Sequence, residues 1–548
     1  MILSREDTHL EESEDKGKAI LRNSLINKGT AFTHKERERL GIRGLLPDHV
    51  STMSEQLERQ LANFNLCGSE LAKYIFLTDL QNRNETLFFR FCMDHVTETL
   101  PYIYTPVVGE ASLHFSMQYN HSRGLYITYD MKDEIESVLK NIQNPGIKVI
   151  VATDGGRILG LGDVGVGGMT IPIGKTSLYT LFGGIAPDVV LPIFLDVGTD
   201  NQELLDNPLY LGRRTKRVTG EDYYDFMDKF VEGVKKVFPE AMLQWEDLLG
   251  VHAQKVLDRY KDNILSFNDD IQGTAGVVLA GLLSALRQKE STLNEEKIAI
   301  FGGGAAGLGI AHIIYRYLIH NGMDENSAKE KIHIIDRYGL TYTGQKGLRP
   351  EHEFFAKKNS FYVEEISLDE TIAQFKITIL LGASAQPNAF TESTMTALLK
   401  NTKTPIIFPL SNPDSKAEAT PEMIIRHTNG GAIIATGTAF PPVHYKGKTY
   451  TSGQCNNVYI FPSIGLLTAA FKMSHIPEVF FYIAGETLSK ISTTTLFPKF
   501  EDLREASKTI AIEIAKYASK EGLIEKLSAK EITERITATM WEPIYKTY

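Results

Sequence analysis

Cysteine is scarce in this chain: three residues in 548, Cys67, Cys92 and Cys455, with no C-x-x-C spacing among them. That excludes a disulfide framework and fits a reducing compartment, so a cytoplasmic location is expected. Long apolar runs are missing too. Nothing approaches the roughly 18 residues of a membrane span, and no membrane partner is expected. Basic runs are absent and the formal net charge is −10, which argues against a nucleic-acid partner. Residues 1–18 are acidic and interrupted by charge, unlike a secretory signal or an Arg-rich transit peptide. No internal repeat or low-complexity segment occurs. What remains is an ordinary globular composition, 43% hydrophobic and 23% charged, in a chain long enough for several domains.

Texture changes along the chain. Residues 1–25 are polar and expected to be loosely ordered. From Thr33 to about Glu98 the spacing is helical, with Leu57, Leu61, Leu71, Tyr74 and Ile75 on apolar faces and breaks at Pro47 and Pro101. From about Lys148 short β-branched runs alternate with Gly turns and amphipathic helices, an α/β pattern. Val149-Ile150-Val151-Ala152 and the apolar run 189–195 read as strands, and Ile298-Ala299-Ile300-Phe301 opens a second α/β unit reaching roughly Gly437. The tail from Glu501 is helical again.

Chemistry concentrates in residues 244–274. Gln244-Trp245-Glu246-Asp247 is followed about twenty residues on by Phe267-Asn268-Asp269-Asp270-Ile271-Gln272-Gly273-Thr274. Four carboxylates in two tight pairs make an all-oxygen donor set suited to a hard cation, Mg²⁺ or Mn²⁺. Either pair alone reads as a solvated helix face or a helix cap. Bulky Trp245, Phe267 and Ile271 argue instead for acids at the rim of a core.

A second site opens at Gly302. The strand 298–301 runs into Gly302-Gly303-Gly304-Ala305-Ala306-Gly307, and Gly302, Gly304 and Gly307 fill the G-x-G-x-x-G positions. These permit the tight turn, the approach of backbone to a pyrophosphate, and the packing of helix on strand, with the helix N-terminus facing the phosphates. The next strand ends at Asp336, placed to accept the ribose hydroxyls, although it comes later than the usual spacing of about 20 residues. Two decoys are rejected. Gly160-Leu161-Gly162-Asp163-Val164-Gly165 follows only a short strand, 157–159, and runs into more glycine, so it reads as a backbone turn. Gly174-Lys175-Thr176 lacks the upstream glycine of a phosphate loop.

With a carboxylate metal site and a dinucleotide turn together, the chain resembles the malic enzymes. The resemblance runs from Asn27 to about Lys516 and rests on several blocks: Lys28-Gly29-Thr30-Ala31-Phe32-Thr33, Tyr104-Thr105-Pro106, Asp154-Gly155-Gly156-Arg157, the Asn268-Asp269-Asp270 block, Pro409-Leu410-Ser411-Asn412-Pro413 and Gly453-Gln454-Cys455-Asn456-Asn457. It implies Glu246, Asp247 and Asp270 as metal ligands. Tyr104 and Lys175 would be the acid–base pair, with Asp269 beside Lys175 as a charge partner. Arg157, Asn412 and Asn457 would hold the substrate carboxylates, with Arg157 and Asn412 also touching the cofactor. Cys455 and Ser463 depart from the family's usual small residues, and Cys455 could tune binding or make the site sensitive to oxidation.

The implied reaction suits these residue types. Oxidising the C2 hydroxyl of L-malate needs a base for its proton, and losing CO₂ places negative charge on the C2 oxygen, which a divalent cation stabilises. Lys175 must be neutral to act as that base, well below its ordinary pKa of roughly 10.4. Two other readings stand beside this one. A malolactic enzyme would keep NAD bound and release lactate, but Arg157 and residues 457–462 look malic-like. A non-catalytic nucleotide-binding regulator would not need Tyr104, Lys175 and the acids together. NAD is expected over NADP because Asp336 would repel a 2′-phosphate and His352 or Glu353 stands where NADP users commonly carry lysine. Arg337, Lys346 and Arg349 are the counterweights.

The expected architecture is a helical oligomerisation domain over 1–122, a discontinuous α/β substrate and metal domain over 123–268 and 458–529, an inserted Rossmann-like NAD-binding domain over 269–457, and a helical tail over 530–548. The resemblance implies a homodimer or homotetramer, with the N-terminal helices at the interface.

Overall fold

The computed structural model describes residues 15–158, 160–358 and 365–548. Its contacts divide the chain into two units. One comprises residues up to Gly155, Asp163–Ala241 and Thr537–Tyr548; the other comprises Gly156–Gly162 and Met242–Ile536.

In the first unit, helices are set by their caps. Thr33 and Thr52 each accept from the backbone N–H three residues on, while Glu36 and Glu55 reach back to the cap, so His34–Arg39 and Met53–Asn65 begin where the sequence offers a capping box. Helices Glu70–Arg83, Glu85–Asp94, Val96–Ile103 and Val107–Gln118 follow. Pro47 lies between helices, as expected, but Pro101 does not break one. It sits inside Val96–Ile103. Three parallel strands complete the unit: β1 Leu125–Thr128, β2 Val149–Thr153 and β3 Val190–Asp196, with β3 paired to both others. The helices of 15–122 group with this sheet and form no unit of their own.

Residues 1–14, part of the segment expected to be loose, lie outside the described residues. Residues 15–25 are ordered at least at Ile20, which is buried in a cluster with Phe32, Leu40, Ile42 and Tyr548. The expected helical tail is only half helix. Ala529–Thr539 is helical, and the residues after it run without regular structure until Tyr548 joins that cluster.

The second unit opens with the parallel pair β4 Met242–Trp245 and β5 Ser266–Asn268. A seven-stranded sheet follows. Its strands are β6 Ile298–Phe301, β7 Ile332–Asp336, β8 Gly339–Leu340, β9 Ile379–Gly382, β10 Ile406–Pro409, β11 Ile433–Thr436 and, after the hairpin β12 Val443–Tyr445 and β13 Lys448–Tyr450, β14 Gly453–Gln454. The order is β14-β11-β10-β9-β6-β7-β8, parallel except for the β7–β8 pair. The chain reverses direction across the sheet between β6 and β9, the switch point where such folds open a crevice at the strands' carboxyl ends. Helices Thr274–Lys289 and Val479–Ile491 cross closely because both are glycine at the contact: a Cβ on Gly485 would lie 2.7 Å from the Gly276 carbonyl oxygen. Residues after 457, as far as Ile536, lie in the same unit as β4, β5 and the seven-stranded sheet.

Glu36 shows what holds the first unit's edge. Lys28 Nζ donates to Glu36 Oε1 at 2.7 Å and to the Lys546 carbonyl at 3.1 Å, and the Tyr548 N–H donates to Glu36 at 3.1 Å. Burial alone would raise the Glu36 carboxyl; the Lys28 ammonium and the Thr33 and Tyr548 N–H groups outweigh it and hold it below its ordinary value. A depressed carboxyl contributes stability above the unfolded pKa and loses it as pH falls through the lower folded one. Lys28→Ala should cost about 3–5 kcal/mol by leaving the buried carboxylate without its counter-charge, and the acid limb of stability should lose its wild-type steepness. Urea denaturation from about pH 7 to about pH 3 reads both effects; an unchanged midpoint would remove this pair from the account.

Candidate active site

The two acid pairs arrive at one place because β4 and β5 are parallel neighbours in register, Trp245 opposite Asn268. Glu246-Asp247 and Asp269-Asp270 therefore leave the same end of adjacent strands. Glu246, Asp247 and Asp270 bring one ligand atom each within 4.8 Å of one another. Backbone and amide donors hold them: Asp247 N–H to Asp270 Oδ2 at 2.8 Å, and Gln244 Nε2 to Glu246 Oε2 at 2.6 Å. Asp247 adopts φ +48°, a left-handed backbone that Asp tolerates better than most residues and that often marks a functional position. Asp270 lies in a π-helical turn, Asp269–Gly273, closed by Asn268 Oδ1 accepting from the Ile271 N–H. Gly273 is obligatory there, since a Cβ would sit 1.9 Å from Asp269 Oδ1. Trp245, Phe267 and Ile271 are buried beside the acids, as their bulk implied. Three carboxylates and no softer donor fit Mg²⁺ or Mn²⁺.

The same unit holds a cavity of about 1380 Å³ whose lining includes Asp247, Asp270, Arg157, Asn412, Gly302, Gly304 and Asp336. At its dinucleotide end Gly302 has φ +124° and packs so closely on Ala383 that a Cβ would meet its carbonyl oxygen at 2.3 Å. A Cβ on Gly307 would lie 1.9 Å from the Gly302 oxygen, while Gly304 faces open space, the position through which a pyrophosphate would approach. Arg157 is tied to the metal loop by its N–H, 3.3 Å from the Asp247 carbonyl. Gly160 and Gly162 take φ +76° and +79°, so this second glycine motif is a turn, as expected; Leu159, just before it, lies outside the described residues. Gly160 lets that turn rest on Pro413, next to Asn412.

Asn457 behaves differently. Its Nδ2 donates to the Asp269 carbonyl and carboxylate, both at 3.1 Å, and its Oδ1 accepts from Thr274 Oγ1 at 3.2 Å, so the amide steadies Asp269 and the following helix start. It does not line the cavity. Cys455 is buried, and burial pushes its thiol well above the ordinary range, which opposes the expected sensitivity to oxidation.

Tyr104 and Lys175 belong to the first unit. Tyr104 ends the helix Val96–Ile103, and Lys175 lies within Thr170–Gly183, fully buried, with Nζ 5.3 Å from the centre of the Tyr104 ring. Gly174 explains the approach. A Cβ there would meet the Ile103 carbonyl at 2.7 Å, so the glycine that made a poor phosphate loop brings the lysine against the tyrosine.

One buried residue escaped the sequence reading. Glu418 is fully buried and accepts from the Ser384 N–H and Oγ, both at 2.8 Å, and from Ser411 Oγ at 2.5 Å, fastening the loops after β9 and β10 where Ser384 and Ser411 line the cavity. Its signal was an acid set between Ala417 and Ala419, both buried.

Comparison with known proteins agrees with this geometry. Family models described as "Malic enzyme, N-terminal domain" and "Malic enzyme, NAD binding domain" match residues 81–261 and 271–519. The NAD-dependent malic enzyme of Shewanella denitrificans is 43% identical over 544 residues, covering 97% of each chain. That of Escherichia coli O157:H7 is 42% identical, covering 97% of this chain and 96% of its own. In fold, the crystal structure of Entamoeba histolytica malic enzyme superposes with a TM-score of 0.57 at 21% identity, covering 92% and 91% of the two chains. Malic enzyme from Pyrococcus horikoshii gives 0.54 at 22%, covering 81% and 89%. Fold and site thus define an oxidoreductase with a Rossmann-like NAD-binding domain. The chain belongs to the NAD-dependent malic enzyme family.

If the carboxylate cluster is the cation site, Asp270→Asn removes one ligand charge with little change of shape. Mn²⁺ affinity should fall by at least about tenfold, read by electron paramagnetic resonance on protein without substrate. Wild-type affinity in the variant would place the cation elsewhere.

Proposed function

We propose that the protein oxidatively decarboxylates L-malate to pyruvate and CO₂ while reducing NAD, with Mn²⁺ or Mg²⁺ held by Glu246, Asp247 and Asp270. The observation that carries this is one cavity lined both by Asp247 and Asp270 of the carboxylate cluster and by the glycine-rich turn with Asp336. When bound, the cation would neutralise charge on the C2 oxygen and NAD would accept the hydride. Arg157 and Asn412, both lining the cavity, bind and orient the substrate carboxylates. Lys175, fully buried beside the Tyr104 ring, takes the C2 hydroxyl proton. Tyr104 delivers the proton that C3 needs after CO₂ leaves. Asn457 steadies Asp269 by donating to its carbonyl and its carboxylate. Among the described residues no helix is long and apolar enough to cross a membrane. We further propose a homodimer or homotetramer acting in the cytoplasm, with the helices of 15–122 at the interface; a monomer by light scattering at micromolar concentration would count against the assembly.

Incubation with malate, NAD and Mn²⁺ should yield NADH and pyruvate in equal amounts. Lactate without net NADH would sink the reading in favour of a malolactic enzyme. Lys175→Ala should lower kcat by about 10²–10⁴-fold with Mn²⁺ binding retained, and Tyr104→Phe should impair protonation of the enol more than oxidation. A Lys175→Ala variant keeping more than roughly a tenth of kcat would remove the lysine as base.

A further inference from the structure

Asp336, at the end of β7, is not alone at its end of the cavity. Arg349 Nη2 lies 3.4 Å from Asp336 Oδ2, donates to the Gly303 carbonyl at 2.6 Å and meets His352 Nε2 at 2.7 Å, while its Nη1 lies 3.3 Å from Glu351 Oε1. His352 is buried, 2.8 Å from the same Gly303 oxygen, in space that a Cβ on Gly303 would invade at 2.7 Å. The guanidinium is therefore pinned over the glycine-rich turn with its charge set against Asp336, and its Nε is buried without a hydrogen-bond partner. Arg337, the other cation next to Asp336 in sequence, lies over the Tyr338 ring, 5.4 Å from its centre.

We propose that Arg349 sets which dinucleotide the site takes. Paired with Asp336, it steadies that carboxylate toward the 2′,3′-diol of NAD; without the carboxylate, it becomes the anchor of a 2′-phosphate. This rests on reading Gly302, Gly304, Gly307 and Asp336 as the adenosine and pyrophosphate end of a dinucleotide site. A 2′-phosphate carries about −1.5 to −2 charge near neutral pH, so the Asp336 carboxylate excludes it even with an arginine in reach. Removing that single negative charge leaves a planar, pre-positioned fork of donors, the geometry that pairs with phosphate oxygens two at a time. The selectivity thus sits in the pair and not in the acid alone.

Titration calorimetry of the full-length protein with 2′,5′-ADP and with 5′-AMP tests this. The wild type should bind 5′-AMP and NAD and discriminate against 2′,5′-ADP. Asp336→Ser should prefer 2′,5′-ADP over 5′-AMP by about 10- to 100-fold, the worth of a charge-assisted pair. That preference should vanish in Asp336→Ser/Arg349→Ala and persist in Asp336→Ser/Arg337→Ala. If Asp336→Ser does not fold, Asp336→Asn carries the same comparison. No preference in the folded single variant, or a preference that survives loss of Arg349, would overturn the proposal while NAD binding by the wild type left the dinucleotide reading standing. A wild type that bound neither NAD nor 5′-AMP would sink both.

Discussion

Three carboxylates converging within 4.8 Å repel one another, and much of the second unit's local design answers that constraint. Two parallel strands in register bring the acids to one end, so their positions follow from backbone pairing. Donors then take up part of the charge: the Asp247 N–H on Asp270, and the Gln244 amide on Glu246. The left-handed backbone at Asp247 and the π-helical turn at Asp270 are irregularities of the kind that persist only where surrounding structure over-determines them. A bound cation would relieve the repulsion, so the cluster is better suited to a charged occupant than to water.

Backbone proximity is the second recurring device. Gly174 lets Lys175 reach Tyr104, Gly273 makes room for Asp269, Gly302 and Gly307 compress the dinucleotide turn, and Gly276 with Gly485 joins two helices. At Gly174, Gly273, Gly302, Gly307 and Gly485 a methyl group would collide with backbone or with a carboxylate. Glu418 does the complementary work with polar atoms, tying two cavity loops through serine donors.

Much of this was legible in the sequence because it is local. The strand–glycine–helix pattern at 298–307 needed only hydropathy and glycine spacing; two acid pairs flanked by bulky apolar residues marked a cluster of four carboxylates, and the resemblance to the malic enzymes picked the trio out of it. What was not legible is what long-range contact decides. The helices of 15–122 gave no sign that they would group with β1–β3, because the sequence shows an apolar face and not its partner. The close crossing of the helices Thr274–Lys289 and Val479–Ile491 at Gly276 and Gly485 has no periodic signature either. Asn457 matched a substrate-binding block, yet its amide is turned to Asp269, a choice made by the helix start at Thr274. Glu418 drew no reading because its partners, Ser384 and Ser411, lie on loops that the sequence alone does not bring together.

The Tyr548–Glu36 contact has a consequence in time. The two residues are separated by 512 positions, and synthesis proceeds at about 5–20 residues per second, N-terminus first. For roughly 25–100 s, by that rate, a growing chain carries a Glu36 that is missing one of its donors and an apolar cluster of Ile20, Phe32, Leu40 and Ile42 that lacks the Tyr548 ring. The second unit, closed by residues up to Ile536, has all its parts before then. The unit begun first is therefore the one finished last, and until it is finished its open edge is apolar surface exposed to whatever else is in the cell.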